Sequence, residues 1–79
     1  MLDENVLRDF VCEMTLRGRS EIGPATPLLS SGVIDSLNLL QLISFVEKES
    51  GIKIRPRDMA LKHFDSITRI LAFLKTQSS

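Results

Sequence analysis

Apolar residues recur along this chain at helical spacing, in three blocks set apart by polar, glycine- and proline-bearing stretches. In the first block Val6, Leu7, Phe10, Val11 and Met14 form one stripe, which predicts a helix from about Asp3 to Leu16. Asp3 is placed to cap it, because its carboxylate can accept an orphan backbone N–H. Gly18 is the expected stop. Cys12 steps to about the opposite side of the stripe at roughly 100° per residue. A partly exposed bystander thiol is therefore expected there.

The second block predicts a helix from about Ser36 to Ser50, with Asp35 as N-cap and Gly51 as C-cap. Leu39, Leu42, Ile43 and Val46 gather on one side of its wheel as the core face. Gln41, Ser44 and Lys48 gather on the other. "GIKI" then reads as a short extended piece with Ile52 and Ile54 on one side. Pro56 suits the first position of a short helical turn through about Leu61. "HFDS" reads as a break, with Asp65 or Ser66 capping a last helix that runs to about Lys75. Ile67, Ile70, Leu71 and Leu74 are its stripe. Between the first two helices, residues 18–34 hold glycines, prolines and polar residues that forbid a regular element. So long a loop is unusual in a small domain and such loops are often functional. Its Leu28, Leu29, Val33 and Ile34 require that part of it folds onto the core. The expectation is an all-α fold: three sizeable helices, one short one and a long first loop.

Size and charge narrow the picture further. At 79 residues a single domain over 1–79 is expected, with a modest and mostly aliphatic core, since the chain has four Phe and no Trp or Tyr. Ten basic and ten acidic residues cancel. That balance argues against a nucleic-acid binder, which normally shows a basic excess, and gives no support for binding an anionic membrane surface. No apolar run approaches bilayer-spanning length, so no stable membrane insertion is expected. The single Cys12 cannot form an internal disulfide, and the start "MLDENVL" lacks the features of a signal peptide, so the cytoplasm is the expected location. Cys12 and His63, one of each kind, cannot make a closed zinc site alone.

The start of the second helix carries the candidate chemistry. Ser36 follows the capping Asp35 at a helix N-terminus. A nucleophilic serine needs a general base within reach and an orienting group behind it. The chain offers one histidine, His63, and no Gly-x-Ser-x-Gly elbow surrounds Ser36. A helix N-terminus suits a phosphate instead, because free N–H groups and the positive dipole end stabilise negative charge. A phosphodiester on Ser36 would sit there, with the oxygen as a covalent anchor. Next to it Leu37 is stranded on the polar face and Leu40 lies on its border, which points to a small apolar anchor for a partner protein.

With these residues in place, "LLSSGVIDSLNLLQLISFVEKESGIKI" resembles an acyl carrier protein, with Asp35-Ser36-Leu37 as its attachment motif. The resemblance extends from the first stripe through "TPLLSSG" to the final "FDSITRILAFL". It implies an acyl-carrier-protein-like four-helix bundle. It also implies that a separate phosphopantetheinyl transferase, using Mg²⁺, moves 4′-phosphopantetheine from coenzyme A to Ser36. The arm would hold an acyl or aminoacyl group as a thioester. The chain itself would catalyse nothing, and would raise the effective concentration of its cargo at each docked enzyme. The implied partners are the transferase, an acyl- or aminoacyl-activating ligase, and acyltransferase or synthase enzymes. Asp35 matches the family's acid before the serine, and Leu37, Asn38, Leu40 and Gln41 are the candidate partner-binding residues.

One departure matters. Carriers of ordinary fatty-acid synthesis are strongly acidic along the second helix, whereas here Asn38, Gln41 and Lys48 occupy that region. Complementary charge mainly sets encounter rate and partner choice, so a dedicated carrier of a specialised pathway is expected, and the alternative is simply more apolar docking. Peptide-synthetase carriers show two glycines shortly before the serine, where this chain has Val33-Ile34-Asp35. "LLSSGVIDS" also resembles D-alanyl carriers and small carriers of polyketide-type pathways. A free-standing monomer is expected. A different class stays open beside these: a small helical interaction module in which Ser36 is only a cap.

Overall fold

The computed structural model describes residues 2–58 and 61–78, the side chains of Leu61 and Ser78 excepted. Four α-helices follow in order: α1 (Glu4–Thr15), α2 (Ser36–Ser50), α3 (Leu61–Phe64) and α4 (Ile67–Ser78), with a 3₁₀ turn at Pro56–Asp58. No strand occurs among the described residues, and the architecture is the expected carrier-like helical bundle. No described helix is long and apolar enough to cross a membrane.

α2 begins and ends where its caps place it. The Asp35 carboxylate takes the Asn38 N–H at 2.9 Å, and Gly51 closes the other end in the left-handed region at φ 73°. α1 starts as expected, the Asp3 carboxylate accepting the Val6 N–H at 2.9 Å. Its end differs. The left-handed residue is Leu16, at φ 58°, and Arg17 donates its N–H back to the Cys12 carbonyl at 3.0 Å. Gly18 lies beyond the turn and does not stop the helix. The "HFDS" break is also shorter than expected: His63 and Phe64 belong to α3, and the chain breaks at Asp65–Ser66. Ser66 is the cap of α4, its Oγ taking the Arg69 N–H at 3.1 Å. Met59 and Ala60, within the turn expected from Pro56, lie outside the described residues.

α1 packs against α2 and α4, and α3 against α4. The register of α1 and α2 is antiparallel: Phe10 stacks on Phe45 at 4.0 Å, Met14 lines one groove with Gln41, and Glu4 lines another with Glu49. That register carries the C-terminal end of α1 to the end of the bundle where α2 begins. The core holds Leu7, Val11, Leu42, Ile43, Val46, Ile54, Phe64, Ile67, Ile70, Phe73 and Leu74, with Ile22, Leu28 and Ile34 from the loop. Leu39, expected in the core, is half-buried, and Phe73, absent from the expected stripe of α4, is buried against His63 and Phe64.

Cys12 is the clearest correction, being buried. The long loop runs across its side of α1. Arg8 donates from Nε to the Ile22 carbonyl and from its terminal nitrogen to the Arg19 carbonyl, while Arg19 pairs with Asp9 and donates to Asn5. The polar face of α1 is thus a seat for the loop, and the thiol lies in the same buried cluster as Ile22. The radius of gyration, 11.3 Å, is close to the ~12 Å expected for a compact chain of this length. The loop is wrapped on the body.

Candidate functional site

Five hydrogen bonds hold the loop that leads to Ser36. Asp65, after α3, takes the Leu29 and Ser30 N–H groups on one carboxylate oxygen, both at 2.8 Å, and the Ser30 hydroxyl on the other at 2.7 Å. Leu28 donates its N–H to the Asp65 carbonyl at 2.7 Å and accepts the Ile34 N–H at 3.0 Å. Within the ring so closed, Gly32 sits at φ 81°, a conformation that costs a side-chain-bearing residue strain. Buried Leu28 and Ile34 pin both ends of this ring, so the residue after Asp35 emerges at a fixed point. These donors hold the Asp65 carboxyl below the usual carboxylate range, the Ser30 N–H contributing most.

Ser36 is the first residue of α2 and is exposed. Asp35 and Asn38 form a reciprocal cap, the Asn38 side-chain oxygen accepting the Asp35 N–H at 3.4 Å. Asn38 also donates to the Gln41 side-chain oxygen at 3.5 Å. The Leu39 N–H goes to the Asp35 carbonyl at 2.8 Å. The Ser36 and Leu37 N–H groups take no partner among the described residues, so two donors remain at the positive end of a 15-residue helix. The Ser36 hydroxyl likewise takes none. Its neighbours in sequence differ: Ser30 gives its hydroxyl to Asp65, and Ser31 to the Pro27 carbonyl. His63 is half-buried and packs on Phe73, with ring centroids 4.6 Å apart.

The surface beside Ser36 is apolar and uncharged. Leu37 is 73% exposed and Leu40 54%, with Gln41 exposed and Asn38 half-buried between them. From Ser36 to Val46 there is no ionisable side chain. Leu16, 93% exposed, completes the set of exposed large hydrophobics among the described residues, and the antiparallel register puts it at this same end. The spacing of the first block makes Leu16 the last helical residue, so nothing in the sequence singles it out. A left-handed non-glycine residue with a bare leucine side chain becomes visible only with the backbone.

Comparison with known proteins bears on the fold and the family. No curated protein matches the chain. A solved structure described as "Crystal structure of FAD-dependent dehydrogenase" contains a chain of the same fold, with a TM-score of 0.76 and 23% sequence identity. The alignment covers 86% of this chain and 97% of that one. At that identity the likeness concerns the fold alone. The phosphopantetheine attachment site family matches residues 5–74, from the first turns of α1 into α4. The chain therefore belongs to the phosphopantetheine attachment site family, whose domains carry covalently attached 4′-phosphopantetheine and are served by a phosphopantetheinyl transferase and biosynthetic enzymes.

Proposed function

We propose that Ser36 is the attachment point of the arm, and that the chain is a single carrier domain for an acyl or aminoacyl group in a specialised pathway. One observation carries this reading: among Ser30, Ser31 and Ser36, the Ser36 hydroxyl alone is exposed without a hydrogen-bond partner among the described residues. The residues around it fit the group. The two unpaired N–H donors of the first turn of α2 would favour a phosphodiester on Ser36 Oγ, as would the helix dipole. When bound, the arm supplies a terminal thiol for thioester formation. The chain itself presents Ser36 at a fixed position and leaves proton removal to the transferase. Asp35 spends one carboxylate oxygen on the cap, and the other is available for recognition by the transferase.

Partner enzymes of the ligase, acyltransferase or synthase type dock on Leu37 and Leu40, with Asn38 and Gln41 as an uncharged surround. Leu16 extends that apolar surface onto the end of α1. Apolar contacts of this kind chiefly set how slowly a complex dissociates.

Intact mass after incubation with coenzyme A, Mg²⁺ and a broad-specificity transferase tests the reading. The wild-type chain, Ser30→Ala and Ser31→Ala gain the mass of one phosphopantetheine, and Ser36→Ala gains none. A modified Ser36→Ala chain overturns the assignment. No gain in the wild-type chain favours an interaction module whose Ser36 is only a cap.

A further inference from the structure

The zero net charge of this chain hides a separation. Residues 53–62 hold four cations, Lys53, Arg55, Arg57 and Lys62, against one acid, Asp58, so the rest of the chain carries six cations against nine acids. All four cations are exposed. Two carboxylates near the segment accept from its backbone: Glu47 takes the Ile54 N–H at 2.7 Å, and Asp58 takes the Arg55 N–H at 3.3 Å. Neither forms an ion pair with a cation of the segment among the described residues. The ion pairs of the described residues, Arg17–Glu21 and Arg19–Asp9, lie elsewhere. The segment is also held in place. Ile54 is buried, Ile52 is half-buried, and the Asp58 N–H returns to the Arg55 carbonyl at 2.8 Å, so Lys53 and Arg55 face outward from an anchored backbone.

We propose that Lys53, Arg55, Arg57 and Lys62 form an electrostatic docking surface for an acidic patch on a partner protein. The proposal rests on the reading that enzymes dock beside Ser36. Beyond Asp35, the surface there has no charge from Ser36 to Val46, so it offers little long-range attraction of its own. The basic segment is the strongest like-charged cluster in the chain. A nucleic acid is disfavoured as its occupant, because residues 53–62 contain no aromatic side chain on which a base could stack. A lipid surface is disfavoured because the described part of the segment exposes no large apolar side chain to insert. What remains is a protein surface of opposite sign, whose contribution is to the association rate and is screened by salt.

The test titrates the ¹⁵N-labelled full chain with deca-glutamate at low salt. Amide shifts are expected at 53–55, 57, 58, 62 and 63, disappearing in about 0.5 M salt. Binding should weaken about tenfold or more in the triple variant Lys53→Gln, Arg55→Gln, Arg57→Gln, whose fold is checked by the dispersion of its spectrum. Shifts centred on Arg17, Arg19 or Arg69, or undiminished binding by the triple variant, overturn the proposal. Stronger use of the same residues by phosphatidylglycerol vesicles or by a single-stranded oligonucleotide overturns it in favour of those ligands. The titration uses the unmodified chain, so its failure leaves the mass result at Ser36 standing, and an unmodified Ser36 leaves the titration standing.

Discussion

A single carboxylate, Asp65, connects the break before α4 to the loop that leads to Ser36. Its side chain gathers three donors from residues 29 and 30, across thirty-five or more positions of sequence. Removing the charge while keeping the shape, as in Asp65→Asn, is expected to cost about 1 kcal/mol or more, read by chemical denaturation. The sign of the pH effect follows from its lowered pKa. A carboxyl whose pKa is depressed on folding contributes fully above its unfolded value, about 4, and that contribution fades as pH falls through the lower folded value. The wild-type chain should therefore lose more stability than Asp65→Asn between pH 5 and about pH 2, and parallel losses would show that Asp65 is not a staple. Asp65 was legible only as one of two candidate caps for α4, because its true partners are distant in sequence, whereas the local role fell to Ser66. Leu16 poses the opposite case, a residue whose cost is local. A left-handed leucine gives up about 1 kcal/mol relative to glycine, and its side chain is bare. Leu16→Gly should raise the unfolding free energy by about that amount. If Leu16 also contacts partners, the same change shortens the lifetime of a complex.

At the scale of one element, α2 was almost wholly legible and α1 only in part, for physical reasons. The bounds of α2 are set by Asp35 and Gly51, two residues whose capping acts within one turn, and its core face is covered by a predictable neighbour. The end of α1 depends on which residue takes the left-handed position, and Leu16 takes it two places before the glycine that looked suited. The fate of Cys12 depends on a covering loop, fixed by Arg8 and Arg19, which periodicity within the helix cannot register. The cap of α2 serves both stability and site geometry. Asp35→Ala leaves the Asn38 N–H without its acceptor and should cost about 1 kcal/mol, measured by thermal unfolding. It should also slow phosphopantetheine loading of Ser36, whereas Asp3→Ala, which uncaps α1, should cost similar stability without that slowing. The docking face belongs to the same helix. Leu37→Ala should raise the dissociation rate of a partner enzyme, costing on the order of 1 kcal/mol or above, and Gln41→Ala should cost less. Equal effects would remove Leu37 as an anchor.

On the scale of the whole molecule, the open grooves meet the core only at its margin, through Leu74, and this bears on where a cargo goes. The amphipathic stripes make Phe45, Val46, Ile54, Leu61 and Ile70 candidates to line a pocket between parted helices. Val46, Ile54 and Ile70 are buried in the common core, Phe45 is stacked on Phe10, and the Leu61 side chain lies outside the described residues. An open groove of about 720 Å³ lies at the far end of α2, between Leu2, Ile52, Leu71 and Leu74. It is some 20 Å from Ser36 by the rise of the helix. A second, of about 570 Å³, runs between Phe10, Met14, Gln41 and Ser44 on the face of α2 that also carries Leu37. Burial of a cargo among Val46, Ile54 and Ile70 therefore requires the helices to part. Each methylene then removed from water contributes about 0.8 kcal/mol, so a long acyl group can offset that opening and a short one cannot. With saturated acyl groups of increasing length on the holo chain, methyl shifts of Val46, Ile54 and Ile70 should stay unchanged at first. Beyond a threshold length they should move together, with a parallel rise in thermal stability. Shifts confined to Phe10, Met14 and Gln41 would instead place the cargo in the groove between α1 and α2. No shift at either set with a long acyl group attached would mean that the chain leaves its cargo exposed to solvent and to the docked enzyme.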